Sequence, residues 1–370
     1  MDILQKFDSC SLYIINELKK IAISQNINIY LVGGAVRDSI LNIPVKDLDF
    51  CLDCDPKELL PKLPFDKYLY NKEFKTAKVK YKDKIIDLIL MRKEYYNYSG
   101  ALPKVEKASL YDDLFRRDFT INSLAYDIKN NNIIDYFSGI DDIINRKIRK
   151  IHKNSYNEDG TRIFRGVKYK VRYDFVYEDE EEIKKEVRSK FTSILSNDRI
   201  VKEILILLKE DKWTKQVLEL SYLNILDLDI IKFNENYSFL NLQNHEDRLI
   251  KLILCIKDIH KINYFIDNSI INKKLRKAIL NFAEKEILKS LILSNNNYQI
   301  YSILSKLTPY DFKFLMSDDK VLYKVINFNK NLVSLSSSLS GQDLKLLGYK
   351  GKEIGDIIKR DLKFRLNTLV

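Results

Sequence analysis

Two rhythms of hydrophobic positions divide the chain. Through roughly the first 140 residues, short apolar runs of strand length are common. Beyond them apolar residues recur at spacings of three and four, with few Gly or Pro to interrupt. Residues 12–25 carry the helical spacing and precede an apolar run at 29–32, which predicts a strand. Gly33-Gly34 ends that run, 35–41 reads as one or two helical turns, Pro44 breaks the helix, and 46–52 alternates as a strand does. A short helix is expected at 56–60. Two strands are expected at 74–81 and 84–91, joined by a polar Lys82-Asp83 turn. Residues 92–112 show no period and read as a loop, whereas 113–127 turns apolar and is expected to be helical. A strand is expected at 133–137, and 139–148 leads into a helix. Residues 157–172, 196–208 and most of the chain to 307 read as helices. Residues 178–185 form a solvated helix face with Glu180–Lys184 and Glu181–Lys185 pairs. A serine-rich linker is expected at 334–340, followed by glycine-punctuated helix starts and a basic helix. No internal repeat is present.

Composition narrows the class. A chain of 370 residues with 45% hydrophobic residues has ample material for more than one core. The formal charge of +11 suggests a polyanionic partner. The first residues lack the apolar core of a signal peptide and no run is long enough to span a bilayer, so a cytoplasmic protein with no membrane partner is expected. Cys51-x-x-Cys54 has no second pair nearby and the histidines lie far downstream, so reduced thiols are expected rather than a zinc site.

The candidate chemistry centres on 29–53. A strand, two glycines and a helix start offer bare backbone N–H groups to an anion, and Gly33 and Gly34 let a phosphate approach the main chain closely. Asp47 and Asp49 lie two apart, so on a strand they point to one face. Two such carboxylates repel unless a cation sits between them, and hard oxygen ligands favour Mg²⁺. A phosphate cradle beside metal carboxylates suggests nucleotidyl transfer. Asp87, on the second of the two middle strands, would complete the metal site or act as base; a lone polar residue facing solvent has the same pattern. Arg116 and Arg117 suit a triphosphate, because each offers a planar fork of donors. Asp118 and Asn122 are four apart, and Asp159, Arg162 and Arg165 can line one helical face, where an Asp beside an Arg can read the edge of a base. Capped, salt-bridged helix starts account for both strings equally well.

Taken together, Gly33-Gly34-Ala35-Val36-Arg37-Asp38, Asp47-Leu48-Asp49 and Arg116-Arg117-Asp118-Phe119-Thr120-Ile121-Asn122 resemble the class II tRNA nucleotidyltransferase and bacterial poly(A) polymerase branch of the polymerase β-like superfamily. Glu158-Asp159-Gly160-Thr161-Arg162 is similar to the motif with which that family recognises CTP and ATP. It departs from the family pattern at Gly160, where Pro is usual, and at Gly166 and Lys168, where Ala and Arg are usual. The resemblance is strong over 29–172 and moderate over the last 30 residues.

It implies an α+β fold: a nucleotidyltransferase head with a small mixed sheet and helices, then an all-helical neck, body and tail. The boundaries are read as 1–145, 146–215, 216–300 and 301–370. It also implies addition of C and A from CTP and ATP to tRNA 3′ ends by two-metal transfer. Asp47 and Asp49, with Asp87, are the catalytic carboxylates, and Asp47 and Asp49 the Mg²⁺ ligands. Gly33, Gly34, Arg37 and Arg117 hold the triphosphate. Asp118 and Asn122 sense the ribose. Asp159 and Arg162, with Arg165 extending their row, face the base. Lys345, Lys350, Lys352, Lys359 and Arg360 clasp tRNA. The rival expectation is a partial enzyme adding only CC or only A, a type that Ser99-Gly100-Ala101-Leu102-Pro103 resembles; a poly(A) polymerase is the less favoured reading. A non-catalytic RNA-binding protein would lack the carboxylates, and a small-molecule nucleotidyltransferase would not need the basic tail. Oligomeric state is left open.

Overall fold

A computed structural model describes residues 3–45, 47–64, 67–82, 84–95, 104–185, 187 and 195–369. Lys46, the Asp83 half of the polar turn and the 99–103 string lie outside the described residues. The chain divides into two compact units: residues 1–196 with 222–224, and residues 197–221 with 225–370.

The first unit is built on a seven-stranded mixed sheet of order β3-β4-β5-β2-β1-β8-β9. Its strands are β1 (Ile29–Val32), β2 (Leu48–Leu52), β3 (Lys67–Asn71), β4 (Thr76–Tyr81), β5 (Lys84–Leu90), β8 (Leu124–Asp127) and β9 (Asn132–Asp135). Only β2 and β5 run parallel, and their register sets Asp49 beside Asp87. The other pairs of this sheet are antiparallel. Alternation sends Leu48, Phe50 and Leu52 to one face, shared with Ile29 and Leu31 of β1, and all five are buried. Helix α1 (Ser9–Ser24) buries Ile14, Ile15, Leu18 and Ala22 and touches β1. The other face carries Asp49 and Cys51. Cys51 joins Val32, Met91 and Ala125 in a cluster capped by Leu110 and Leu114 of α4 (Leu110–Phe115).

Several local expectations are corrected. The loop expected at 92–112 contains strands β6 (Arg92–Tyr95) and β7 (Lys104–Lys107), paired antiparallel, and the start of α4. Their alternation is too short and too charged to show as a period. The helix expected at 113–127 is the end of α4, one 3-10 turn (Thr120–Asn122) and β8. Leu124–Asp127 becomes a strand because β1 and β9 offer it partners on both sides, a non-local gain that local pattern does not register. The short strand β3 was not expected; it pairs only with β4, at the sheet edge.

After the sheet come α5 (Gly139–Ile144), α6 (Ser155–Glu158) and α7 (Thr161–Tyr173). Lys147–Ile148 forms β10, parallel to β11 (Val176–Tyr177), rather than continuing a helix. Two of the family departures, Gly160 and Gly166, sit at and within α7. Gly160 sits at φ −62°, a value proline also adopts. A Cβ on Gly166 would stand 3.0 Å from Tyr177 Cε1 and 3.2 Å from Phe119 Cζ, so glycine lets two aromatic rings close on the helix.

The second unit is helical throughout its described residues apart from turns and one isolated bridge. One of its cores gathers Leu291, Ile300, Leu304, Val321, Val325, Leu332 and, from the last helix (Lys352–Thr368), Leu366. Lys324 is buried there, and its Nζ donates to the carbonyls of Leu291 and Ser294 at 2.6 and 2.8 Å, closing the end of the Glu286–Leu293 helix. The serine-rich stretch is anchored rather than free. Ser337 Oγ and the Ser338 N–H donate to Asp361 at 2.7 and 2.8 Å.

Candidate active site

The turn that ends β1 creates one wall of a cavity. Gly33 has φ +67°, a conformation only glycine adopts without strain, and precedes α2 (Gly34–Ile40). A Cβ there would lie 2.9 Å from Arg117 Nη1, so the glycine also makes room for a guanidinium. Gly33→Ala is therefore expected to displace Arg117 and to raise the KM for nucleotide about tenfold, with a stability loss of about 1–2 kcal/mol. Steady-state kinetics and a thermal melt read the two effects separately.

The cavity, about 440 Å³, is lined by eight basic side chains (Arg37, Arg92, Arg116, Arg117, Arg162, Arg165, Lys168 and Arg172) against four acidic ones (Asp49, Glu94, Asp118 and Asp159). Gly33, Gly34 and Asn122 share its wall. Every expected nucleotide-binding residue lies there. Of the expected carboxylates, Asp49 lines it, and Asp47 and Asp87 are not among its lining residues. Burial raises the Asp49 carboxyl above its ordinary value; Asp87 and Asp47 push the same way, against Arg117 and Lys78. Asp87 Oδ2 accepts from Lys78 Nζ at 2.9 Å, across the strand pair that the register sets directly opposite. Asp47, exposed, immediately precedes β2.

Among the described residues no group of three or more His, Cys, Asp or Glu is gathered to hold a metal ion. Asp49 and Asp47 are close enough for their charges to interact. Two carboxylates whose charges oppose each other fit a hard divalent cation that takes its remaining oxygens from phosphate and water.

Arg37 is placed differently from a free phosphate ligand. It is buried, its guanidinium 4.9 and 4.7 Å from the ring centres of Tyr169 and Tyr173. It donates to Asp38 Oδ1 (2.9 and 2.7 Å), to Tyr173 OH (2.6 Å) and, through Nη1, to Asn122 Oδ1. Asn122 in turn donates to Asp118 Oδ1 at 2.9 Å, and Arg165 Nε meets Asp118 Oδ2 at 2.9 Å. Arg37 thus orients the pair expected to sense the ribose. The spacing that suggested a shared helical face for Asp118 and Asn122 is satisfied across a 3-10 turn.

Asp159 lies between α6 and α7 in extended backbone, not on the helix. Its Oδ1 accepts from the Thr161 N–H (3.0 Å) and Oγ1 (2.7 Å). Arg162 is buried. Its Nη1 donates to Ser155 Oγ (2.8 Å) and O (3.2 Å), and its Nη2 to the Arg116 carbonyl (2.8 Å). Arg162, Arg165, Tyr169 and Arg172 line the cavity at spacings of three and four along α7. Tyr169 and Arg172, with Arg92, Glu94 and Lys168, were not singled out from sequence. The helical spacing from Arg162 could have found the first two; the strand-borne pair carries no local signal.

The expected tRNA contacts belong to the second unit. Lys345 is in the Gly341–Leu346 helix, Lys350 precedes Gly351 (φ +51°), and Lys352, Lys359 and Arg360 lie on the last helix, all exposed.

This mixed sheet, whose parallel pair sets Asp49 on the wall of a cationic cavity with Asp87 beside it in register, has the fold of solved CCA-adding enzymes. Residues 29–149 match the family model described as the Poly A polymerase head domain. The chain is 28% identical over 374 residues to the A-adding tRNA nucleotidyltransferase of Aquifex aeolicus (strain VF5), covering 89% of this chain and 44% of that one. It is 27% identical over 380 residues to the CCA-adding enzyme of Staphylococcus saprophyticus subsp. saprophyticus, covering 90% and 88%. A solved CCA-adding enzyme (apo form II) superposes with a TM-score of 0.76 at 25% identity, over 99% of this chain and 94% of that chain. The chain spans less than half the length of the A-adding relatives it matches. No helix among the described residues is long and apolar enough to cross a membrane.

Proposed function

We propose that the protein is a template-independent tRNA nucleotidyltransferase that adds C and A to tRNA 3′ ends from CTP and ATP. The observation that carries this reading is the cavity in which Asp49, the Gly33-Gly34 turn and an arginine wall meet Asp159 and Arg162. Phosphate-binding charge and a base-reading pair then share one chamber with a catalytic carboxylate. The names of the relatives, CCA-adding and A-adding, support a tRNA 3′ end as acceptor.

Asp47 and Asp49 would hold Mg²⁺, which when bound makes the attacking hydroxyl more acidic and neutralises the leaving pyrophosphate. The chain's own residues do the rest. Gly33 and Gly34 let the triphosphate approach the backbone, and Arg117 and Arg116 neutralise it. Asp118 and Asn122, held by Arg37 and Arg165, meet the ribose. Asp159 and Arg162 meet the base edge, so the protein itself specifies the nucleotide. The acceptor's 3′ oxygen forms a bond to the α-phosphorus as the bond to pyrophosphate breaks, and Asp87, next in register to Asp49, stands to accept the hydroxyl proton. The exposed lysines and arginine of the tail clasp the tRNA backbone. Head, neck, body and tail take the boundaries read from sequence, and the cytoplasm, where tRNA is processed, is the site of action.

A second reading, addition of A alone, draws on the three A-adding relatives. End-labelled tRNA transcripts lacking CCA, or ending in C or CC, are incubated with Mg²⁺ and CTP, ATP or both. Growth by three nucleotides supports the first reading. Growth confined to the CC-ended transcript with ATP supports the second. Extension of unrelated RNA alone would instead indicate a poly(A) polymerase.

A further inference from the structure

Asp113 has no part in the chemistry above, yet its side chain is wholly buried beneath the cavity's arginines. On α4 it lies three and four residues before Arg116 and Arg117. Its Oδ1 accepts from Arg116 Nε and Nη2 at 3.1 and 2.7 Å and from the Arg92 backbone N–H at 3.3 Å. Its Oδ2 accepts from Arg117 Nη2 at 3.0 Å and from the Cys51 thiol at 3.2 Å. One carboxylate thus gathers five donors from the residues that follow α4 and from β2 and β6. Glu94 closes the far side by accepting from Arg116 Nη1 at 2.9 Å and from Arg92.

Three features give this cluster a purpose beyond packing. First, Asp113 and Glu94 hold the ion pairs of Arg92, Arg116 and Arg117, and Arg117 also feels the charge of Asp49 on the cavity wall, so the cluster is tied to that carboxylate as well. Second, Arg117 Nε is buried without a hydrogen-bond partner, while its Nη1 lies against the Gly33 backbone. Third, Cys51 is two residues from Asp49 on β2, so the same strand carries both the anchor of the arginines and the catalytic carboxylate. Burial alone would raise the Asp113 carboxyl; Arg116 and Arg117 nonetheless hold it well below the usual carboxylate range, so it is ionised at neutral pH.

We propose that Asp113 is a positioning residue that presets Arg116 and Arg117 as a paired clamp for the triphosphate of the incoming nucleotide. The proposal rests on the nucleotidyltransferase reading and deepens it. Fixing two long side chains before the ligand arrives removes their ordering cost from binding.

The test uses the full chain carrying Asp113→Asn, Arg117→Gln or both, with thermal melts to establish folding. Two readouts are taken: KM and kcat for CTP and ATP on tRNA transcripts, and calorimetric binding of inorganic tripolyphosphate. Asp113→Asn is expected to raise both KM values and weaken tripolyphosphate about tenfold, with kcat changed less than about threefold and the CTP-to-ATP ratio of KM preserved. In the Arg117→Gln background the same substitution is expected to have a smaller effect, the part it exerts through Arg116 alone. Unchanged tripolyphosphate binding in Asp113→Asn, or an equal effect with and without Arg117, overturns the proposal. Unchanged binding in Arg117→Gln overturns it as well, since no clamp would exist. Should Asp113→Asn not fold, Asp113→Asn with Arg116→Gln keeps the buried charge balanced and carries the same expectation for Arg117. Wild-type protein that binds tripolyphosphate but extends no RNA would sink the nucleotidyltransferase reading while leaving the clamp in place.

Discussion

Asp49→Ala is expected to lower nucleotide incorporation by a factor of about 10³ or more while leaving tRNA affinity within about twofold. The two effects separate because Asp49 sits at the cavity wall, beside Asp87 in register and near Asp47, whereas RNA affinity comes mainly from phosphate contacts made by exposed basic residues. Single-turnover incorporation and filter binding of the same tRNA measure them. Retained incorporation would remove Asp49 from the catalytic set. A stability effect of opposite sign accompanies the loss. The folded Asp49 carboxyl titrates above its unfolded value, so its ionisation costs stability as pH rises from the unfolded value of about 3.9 through the folded one, and the full cost persists at neutral pH. Asp49→Asn is accordingly expected to raise the metal-free melting temperature at pH 7 and to leave it unchanged well below pH 4.

Arg162→Ala is expected to reduce discrimination between correct and incorrect nucleotides by about tenfold or more in kcat/KM, with a smaller change in tripolyphosphate affinity. The guanidinium stands in the cavity near Asp159 but is fixed from behind by Ser155 and the Arg116 carbonyl. Truncation would remove both the proposed base-facing donor and the strut between α7 and Arg116, the residue that precedes Arg117. It takes the donor from the Arg116 carbonyl, while the Ser155 carbonyl keeps the Asp159 N–H, so a stability loss of about 1–3 kcal/mol is also expected. Arg162→Lys should not restore selection, because a single ammonium cannot span the Ser155 and Arg116 acceptors that orient the planar fork. Competition among all four nucleotides on a CC-ended transcript reads the selection. Intact selection would end the base-reading assignment.

Much of the site was legible locally because its parts are compact strings. Gly33-Gly34, Asp47 to Asp49, Arg116 to Asn122 and Asp159 to Arg165 each hold their chemistry within a few residues, and a short string keeps its meaning whatever surrounds it. Arg37 shows the limit of that argument. Its place next to Gly33-Gly34 suggested a phosphate ligand, but Asp38, Tyr173 and Asn122 occupy its donors, and Tyr173 is 136 residues away. Nothing local reveals such a partner. Gly166 is similar: it departs from the family pattern for a reason found only in Tyr177 and Phe119.

The sequence by itself determined the periodicity that separates a strand-rich head from a helical remainder, the turn that only glycine can make at Gly33, and the carboxylate and arginine types needed for phosphate chemistry. These depend on the preferences and spacing of neighbouring residues. Tertiary structure decided what depends on pairing across distance. The parallel register placed Asp87 beside Asp49. Pairing on both sides turned Leu124–Asp127 into a strand, and Arg92–Tyr95 paired with Lys104–Lys107, which puts Glu94 on a strand. It also decided that Asp113, an ordinary acidic residue in the string, is the buried carboxylate beneath the arginine wall. Its partners Cys51 and Arg92 come from other strands, and desolvation there makes each charge depend on the others.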